Sequence, residues 1–312
     1  MRLSSPSAGG PTGRTLDPTG LMLALAGAFL YSWKPIFIKL SYGYGVDAPT
    51  QLVWRMSLSL PFYAVAGWWA YRQRRAKGQP TDLSMATIAG TAAIGVVGYY
   101  LASILDIEGL SRITAQFERL ILFTYPTFVA LIGYWFFKER LGRAHLIALG
   151  LTYVGLALIF VHDLNSFGDQ VVSGTLLVLG CALAYSLYLL WSKAKIARMG
   201  SGLFTAISMI ASLPALIVHF AITNHVTDLA VPMPVVGISL GLALFSTVIP
   251  SFLFSEAVAR IGPGPASVTG GSGPLFTTIL SVLILGEAFT PWHAGGMALV
   301  LGGILVLSRQ KS

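Results

Sequence analysis

Charge is the first thing this sequence lacks. Only 10% of its 312 residues are Asp, Glu, Lys or Arg, whereas soluble domains carry about 25%. A chain so poor in charge, 55% hydrophobic and with a mean hydropathy of +0.74, cannot close as an ordinary soluble domain. Cysteine is nearly absent: Cys181 stands alone inside an apolar run, which excludes an intramolecular disulfide. Acidic residues are scarce too, 12 against 20 basic ones, for a formal net charge of +8. The basic residues fall in short loops between apolar runs rather than along one stripe, which argues against a nucleic-acid partner. There is no HExxH, no GxSxG with plausible partners and no aspartate pair at depth, so the reading is not an enzyme. Without a Walker motif the chain alone is no ATP-driven pump, and no metal or other cofactor is expected.

What the sequence has in abundance is long apolar runs. Crossing a hydrocarbon core takes about 20 apolar residues. Ten stretches qualify, at 20–42, 50–71, 84–106, 112–137, 143–162, 171–194, 202–223, 234–257, 264–286 and 291–309. The first nineteen residues, rich in Gly, Pro and Ser, read as a disordered tail. With the N-terminus inside, one side of the membrane collects Arg2, Arg14, Arg72, Arg74, Arg75, Lys77, Lys138, Arg140, Arg143, Lys193, Lys195, Arg198, Arg260, Arg309 and Lys311. The other side collects Arg112 alone. This positive-inside bias puts both termini in the cytoplasm, most simply at a bacterial inner (plasma) membrane.

The two halves also repeat each other. A shift of 148 carries Ser103, Glu108, Arg112 and Ile113 onto Ser251, Glu256, Arg260 and Ile261. The same shift carries Pro126, Glu139, His145 and Gly155 onto Pro274, Glu287, His293 and Gly303. A shift of 154 matches Gly20, Tyr31, Ser32 and Lys39 with Gly174, Tyr185, Ser186 and Lys193. The expected domains are therefore a five-helix repeat over 20–162, a linker at 163–170 and a second repeat over 171–309. An odd number of helices per repeat inverts the second relative to the first, the arrangement of alternating-access carriers. Two fused repeats already supply the symmetry of a dimer, so the chain is expected to be a monomer in lipid.

The segments FTYPTFVALIGYWFFKERL (Phe123 to Leu141) and GGSGPLFTTILSVLILGEAF (Gly270 to Phe289) resemble the EamA-type repeats of the drug/metabolite transporter superfamily. Lys138-Glu139-Arg140 and Gly286-Glu287-Ala288 hold the positions of that family's Gly-Glu-Arg-like motif, departing from it at Lys138 and Ala288. The resemblance spans residues 20 to 309. It implies a ten-helix carrier of small metabolites such as amino acids, often an exporter, without naming the substrate.

Charges inside membrane helices mark candidate sites, because each costs a few kcal/mol to insert. Counting about 1.5 Å per residue puts Lys34, Glu118 and Arg119 roughly 9–12 Å below the outer surface, with Arg55 and Tyr99 at a similar level. Lys39 lies almost at the interface. One polar cavity, open outward in some state, would gather these groups, although Lys34 and Arg55 could equally snorkel to headgroups. Glu118 and Arg119 fall on Ala266 and Ser267 under the 148 shift, so they break the repeat as substrate ligands would. Arg119 or Arg55 would take a carboxylate and Glu118 an ammonium, with Tyr31, Tyr99, Tyr185, Tyr188 and Trp191 as an aromatic wall. As the one acid read at depth, Glu118 would also carry any proton coupling. Pro126 and Pro274 are hinge candidates, alongside Gly262-Pro263-Gly264-Pro265. Glu139, Glu287, His145 and His293 read as helix-boundary and packing residues. The expectation is an amino-acid exporter or facilitator. A channel, a carrier of anionic or drug-like molecules and a non-transporting scaffold are the alternatives.

Overall fold

Where they are described, the apolar runs are helical, because a backbone in lipid must satisfy its own hydrogen bonds. A computed structural model describes residues 17–137, 142–261 and 269–308. The N-terminal tail with Arg2 and Arg14, the Lys138-Glu139-Arg140 motif, Gly262 to Ser267, and Arg309 and Lys311 lie outside the described residues. The side chain of His145 does as well.

Helix α1 (Pro18–Tyr42) starts where Asp17 Oδ1 accepts from Thr19 N–H, and Asp47 caps α2 (Ala48–Ala76) in the same manner. A continuous rod follows: α3 (Met85–Gly95), a π-helical bulge at Val96–Leu101, and α4 (Ala102–Leu110). The stretch expected as one helix over 112–137 is two, α5 (Ala115–Leu122) and α6 (Tyr125–Phe137), parted at Phe123 and Thr124. Then come α7 (Arg143–Phe167), α8 (Gln170–Met199) and α9 (Ser201–Thr223). Between α7 and α8 the chain turns on Gly168 at φ 75, where a side chain would be strained. The expected eight-residue linker is thus nearly all helix, and Asp163 belongs to α7. A second rod holds α10 (Met233–Ala243), a π bulge at Leu244–Val248 and α11 (Ile249–Ile261). Last are α12 (Gly273–Leu280), with a π-helical end at Ser281–Leu285, and α13 (Pro291–Ser308). No strand occurs among the described residues.

Among the described residues, six helices are long and apolar enough to span a membrane: Pro18–Tyr42, Met85–Leu110, Leu146–Phe167, Gln170–Met199, Ser201–Thr223 and Met233–Phe254. Gly273–Leu285 and Pro291–Val306 are shorter apolar helices. The expected ten are not all of this kind. Helix α2 carries Arg55 and, in its last turns, Arg72, Arg74 and Arg75, and the Phe123–Thr124 break leaves α5 and α6 short. Large apolar side chains such as Trp69, Trp135, Ile222 and Leu283 are exposed around the bundle, as befits a surface that meets lipid.

The sequence shift reappears in the backbone. Helix α3, its bulge and the start of α4 recur 148 residues on as α10, its bulge and α11. The break at 123–124 recurs at 271–272. Contacts recur too. A Cβ on Gly20 would strike Ile261 and Arg260, and one on Gly174 would strike Ile113 and Arg112. Among the described residues, the most extensive helix–helix seams are α7–α13, α2–α9, α1–α11 and α4–α8. In lipid such seams gain from tight van der Waals packing of small residues, not from leaving water.

Candidate functional site

The short helix α5 carries the central charges. Its first N–H groups are satisfied twice. Thr114 Oγ1 accepts from Phe117 N–H at 3.2 Å, and Glu287, from beyond α12, accepts from Ala115 N–H at 2.7 Å and Gln116 N–H at 3.4 Å. A carboxylate at a helix N-terminus is favourable on charge as well as hydrogen bonding. Glu287 is thus a helix cap supplied by the other half of the chain.

One turn further on, Glu118 is fully buried and Arg119 nearly so. The Glu118 carboxyl neighbours the Asp106 carboxyl on α4, and Asp106 Oδ2 sits 2.5 Å from Lys34 Nζ on α1. Arg55 on α2 donates to Ser103 Oγ at 2.8 Å, which holds it against the same face of α4. Three cations and two carboxyl groups therefore meet where α1, α2, α4 and α5 converge. The sequence reading brought Lys34, Arg55, Glu118 and Arg119 together and missed Asp106. That residue closes the apolar run of 84–106 and looked like a helix end, but the helix continues to Leu110 and covers it. Glu118 is therefore not the one acid at depth, and Lys34 is ion-paired rather than snorkelling.

Unmet hydrogen bonds gather on the acids and on Arg119. Lys34 is ion-paired and Arg55 hydrogen-bonded. Both carboxyl oxygens of Glu118, both of Asp106 apart from its ion pair, and the Nε of Arg119 are buried without a hydrogen-bond partner, an arrangement that costs free energy unless something else fills it. Arg119 also stands over the Phe123 ring, 5.9 Å from its centroid.

A tyrosine wall flanks the charges. Tyr188 Oη donates to Tyr99 Oη at 3.1 Å. Tyr185 stacks on Tyr188 at 5.8 Å, and Tyr125 meets Tyr185 edge-on at 5.3 Å. Gly98 makes room for this wall, since a Cβ there would run into the Tyr188 ring. Tyr31 is half-buried and neighbours Tyr63 and Tyr99. Trp191 does not join: it is 49% exposed, and from Tyr188 the ring contacts pass to Phe204 instead. Tyr125, which the sequence reading overlooked, takes its place.

Each helix break is tied to the opposite half. Ser32 Oγ donates to Gly273 O at 3.0 Å, and Ser186 Oγ donates to Tyr125 O at 2.9 Å. These carbonyls immediately precede Pro274 and Pro126. The prolines sit in the first turn of α12 and α6, where a missing N–H is harmless, so each begins a helix rather than bending one in mid-span. The interruption itself is at Phe123–Thr124 and Gly271–Ser272.

Two further hydrogen bonds join different elements near the end of α1 and the start of α5. Tyr42 Oη donates to Ile107 O at 2.6 Å and Gln116 Nε2 to Ala288 O at 2.8 Å. A depression of about 130 Å³, lined by Lys39, Arg112, Thr114 and Gln170 among others, lies beside the start of α5.

The EamA-like transporter family model matches residues 18–161 and 172–309. The uncharacterized transporter YcbK of Bacillus subtilis (strain 168) is 26% identical over 274 residues, 86% of each chain. An uncharacterized transporter of Vibrio cholerae serotype O1 is 24% identical over 291 residues, 93% of this chain and 91% of its own. A crystal structure 17% identical in sequence shares the fold at a TM-score of 0.60, covering 94% of this chain and 99% of that one. With nearly its whole length matched in two blocks, this chain belongs to the EamA-like transporter family and is a membrane transporter.

Proposed function

We propose that the chain is an alternating-access carrier of small polar metabolites, with amino acids as the class that suits its site best. Ten membrane segments form two inverted five-helix repeats around the charged cluster, with both termini cytoplasmic, in a bacterial inner membrane. The observation that carries this reading is the pair Glu118 and Arg119. They are buried on the α5 segment, lack full hydrogen bonding, and have no counterpart in the second half of the chain. A zwitterion supplies a carboxylate for Arg119 and an ammonium for Glu118, while Lys34–Asp106 and Arg55–Ser103 hold the surrounding helices. The Tyr125–Tyr185–Tyr188–Tyr99 wall receives the side chain. Alternation would act at the two broken helices, since the Ser32 and Ser186 hydrogen bonds tie each break to the opposite half. Export or facilitated exit is the direction in keeping with the resemblance, and a monomer suffices.

A second reading has its own observation. The Asp106 and Glu118 carboxyls are neighbours, and two carboxyl groups can hydrogen-bond only with a proton between them. Substrate ammonium arriving at Glu118 would displace that proton, which couples transport to proton movement.

The test is counterflow in proteoliposomes loaded with single amino acids, comparing the parent with Glu118→Gln and Arg119→Ala. Saturable exchange of one amino-acid class, lost in both variants, supports the carrier and its site. Exchange that persists in both moves the site elsewhere. Exchange in Glu118→Gln with its pH dependence intact removes the proton reading. Flux that never saturates in the parent identifies a channel.

A further inference from the structure

Helices α7 and α13 run antiparallel along a seam of glycines. A Cβ on Gly155 would strike Gly296 O, one on Gly296 would strike Ile159, and one on Gly303 would strike Ala148 O. At one end of this apolar seam sits a group of ionisable side chains that the transport reading does not use. Asp163 Oδ1 is 3.2 Å from His162 Nδ1 and 3.2 Å from His293 Nε2. The three ligand atoms all lie within 4.8 Å of one another. Asp163 is fully buried and His293 is 97% buried, being only 3% exposed.

A buried carboxylate is tolerated only when paired, hydrogen-bonded or coordinating a metal. Here the pairing is incomplete. Asp163 Oδ2 and His293 Nε2 have no hydrogen-bond partner. The approach of Nε2 to Oδ1 is close enough for a hydrogen bond yet not aligned as one. His162 Nδ1, by contrast, is hydrogen-bonded to Asp163 Oδ1, so the unmet demand falls on Asp163 Oδ2 and His293 Nε2. A tetrahedral zinc ion with bonds of about 2.0–2.1 Å separates its ligand atoms by roughly 3.3 Å, close to the two separations from Asp163, while the two imidazole nitrogens lie within 4.8 Å of each other. An outer partner for the imidazole is also present: Thr290 meets His293 Nδ1 with its Oγ1 at 2.8 Å and its backbone N–H at 3.4 Å, and metal binding at Nε2 requires the tautomer in which Nδ1 carries the proton and donates to Thr290 Oγ1. His162, 23% exposed on its side chain, leaves one side open for a water as fourth ligand.

We propose that His162, Asp163 and His293 bind Zn²⁺ and so clamp the last helix of the first half to the last helix of the second. This goes beyond the transport reading and does not depend on it. The sequence reading expected no metal and set His293 against Glu139, His145 and Glu287. The residues that reach it come from α7 instead, two of them adjacent in sequence at the edge of a presumed linker.

The experiment uses the full chain in detergent with its affinity tag removed, stripped with a chelator and titrated with zinc chloride. Metal content after desalting and the zinc-induced shift in melting temperature are both read. The expected result is about one zinc per chain, with affinity reduced at least about 100-fold in His293→Gln and Asp163→Asn, the upper end of the loss from removing even an outer-shell partner. His225→Gln, in an exposed loop, keeps the parental affinity. If the buried variants fail to fold, His162→Ala, on the partly exposed ligand, provides the same comparison. Co²⁺ loaded into the parent reads the geometry without any variant, through the intense visible bands of a tetrahedral centre. Zinc absent from the parent, equal affinity in parent and ligand variants, or the weak spectrum of octahedral Co²⁺ overturns the proposal.

Discussion

Removing Asp106 tests whether the central charges are a connected structure or a set of independent ones. Asp106→Asn leaves Lys34 without its counter-ion where the lysine side chain is 19% exposed and the aspartate 1%. Breaking a buried ion pair from one side costs about 3–5 kcal/mol, because the remaining charge is stranded. Glu118 lies next to Asp106 and offers Lys34 a substitute, so the lower end applies, about 3 kcal/mol. That is on the order of a 100-fold change in the folded-to-unfolded ratio. The assay is denaturant unfolding in detergent micelles, run on Asp106→Asn and as a cycle of Asp106→Leu, Lys34→Met and the two together. Replacing both partners by packed apolar groups is often neutral, so the double variant is expected within about 1 kcal/mol of the parent. Glu108→Gln is the internal control. Its partner Arg112 is 3.6 Å away and both are more than a third exposed, so less than about 1 kcal/mol is expected. Single variants that each lose under 1 kcal/mol, with losses that simply add, would refute the reasoning.

Other outcomes follow from local geometry. Gly296→Ala is expected to destabilise by about 1–3 kcal/mol, because its Cβ meets the α7 backbone at Gly155. Gly295→Ala, with nothing within 4 Å of its Cβ, should be neutral or gain up to about 1 kcal/mol, and thermal unfolding of the two variants separates these effects. Glu287→Gln weakens the cap on α5 by about 1 kcal/mol and, since α5 carries Glu118 and Arg119, should lower the maximal exchange rate more than it changes apparent affinity. In the loop before α3, hydrogen bonds from the Ser84 backbone N–H and from Thr87 hold Asp82 down from 3.8 to about 2. A depressed folded value contributes stability above the unfolded value and loses it as pH falls. Asp82→Asn should therefore flatten the acid limb of the unfolding profile between about pH 4 and pH 2, and an unchanged limb counts against it.

The charged cluster was legible where a charge stood well inside an apolar run. Lys34, Arg55, Glu118 and Arg119 were found that way, and they do meet. Asp106 and Asp163 were missed for one shared reason: each stands at the end of an apolar run, where a sequence cannot say whether the helix stops or continues. Both helices continue, and neighbours from other parts of the chain bury the two carboxylates. Trp191 was placed in the aromatic wall with Tyr185 and Tyr188, but it is 49% exposed, and Tyr188 meets Phe204 of α9 instead.

By itself the sequence determined an all-helical membrane protein, the duplication and its offsets, and the polar residues that break the duplication. These follow from properties each segment carries alone, since an apolar run in lipid has to be helical whatever its neighbours. Tertiary structure decided the rest: that Glu287 caps a helix 172 residues away, that Ser32 holds the backbone ahead of Pro274 across 241 residues, and that His293 finds Asp163. Partners so distant in the chain are matched only when packing brings their surfaces together. Which polar groups end up satisfied, and which stay open for a ligand, is therefore a property of the assembled bundle.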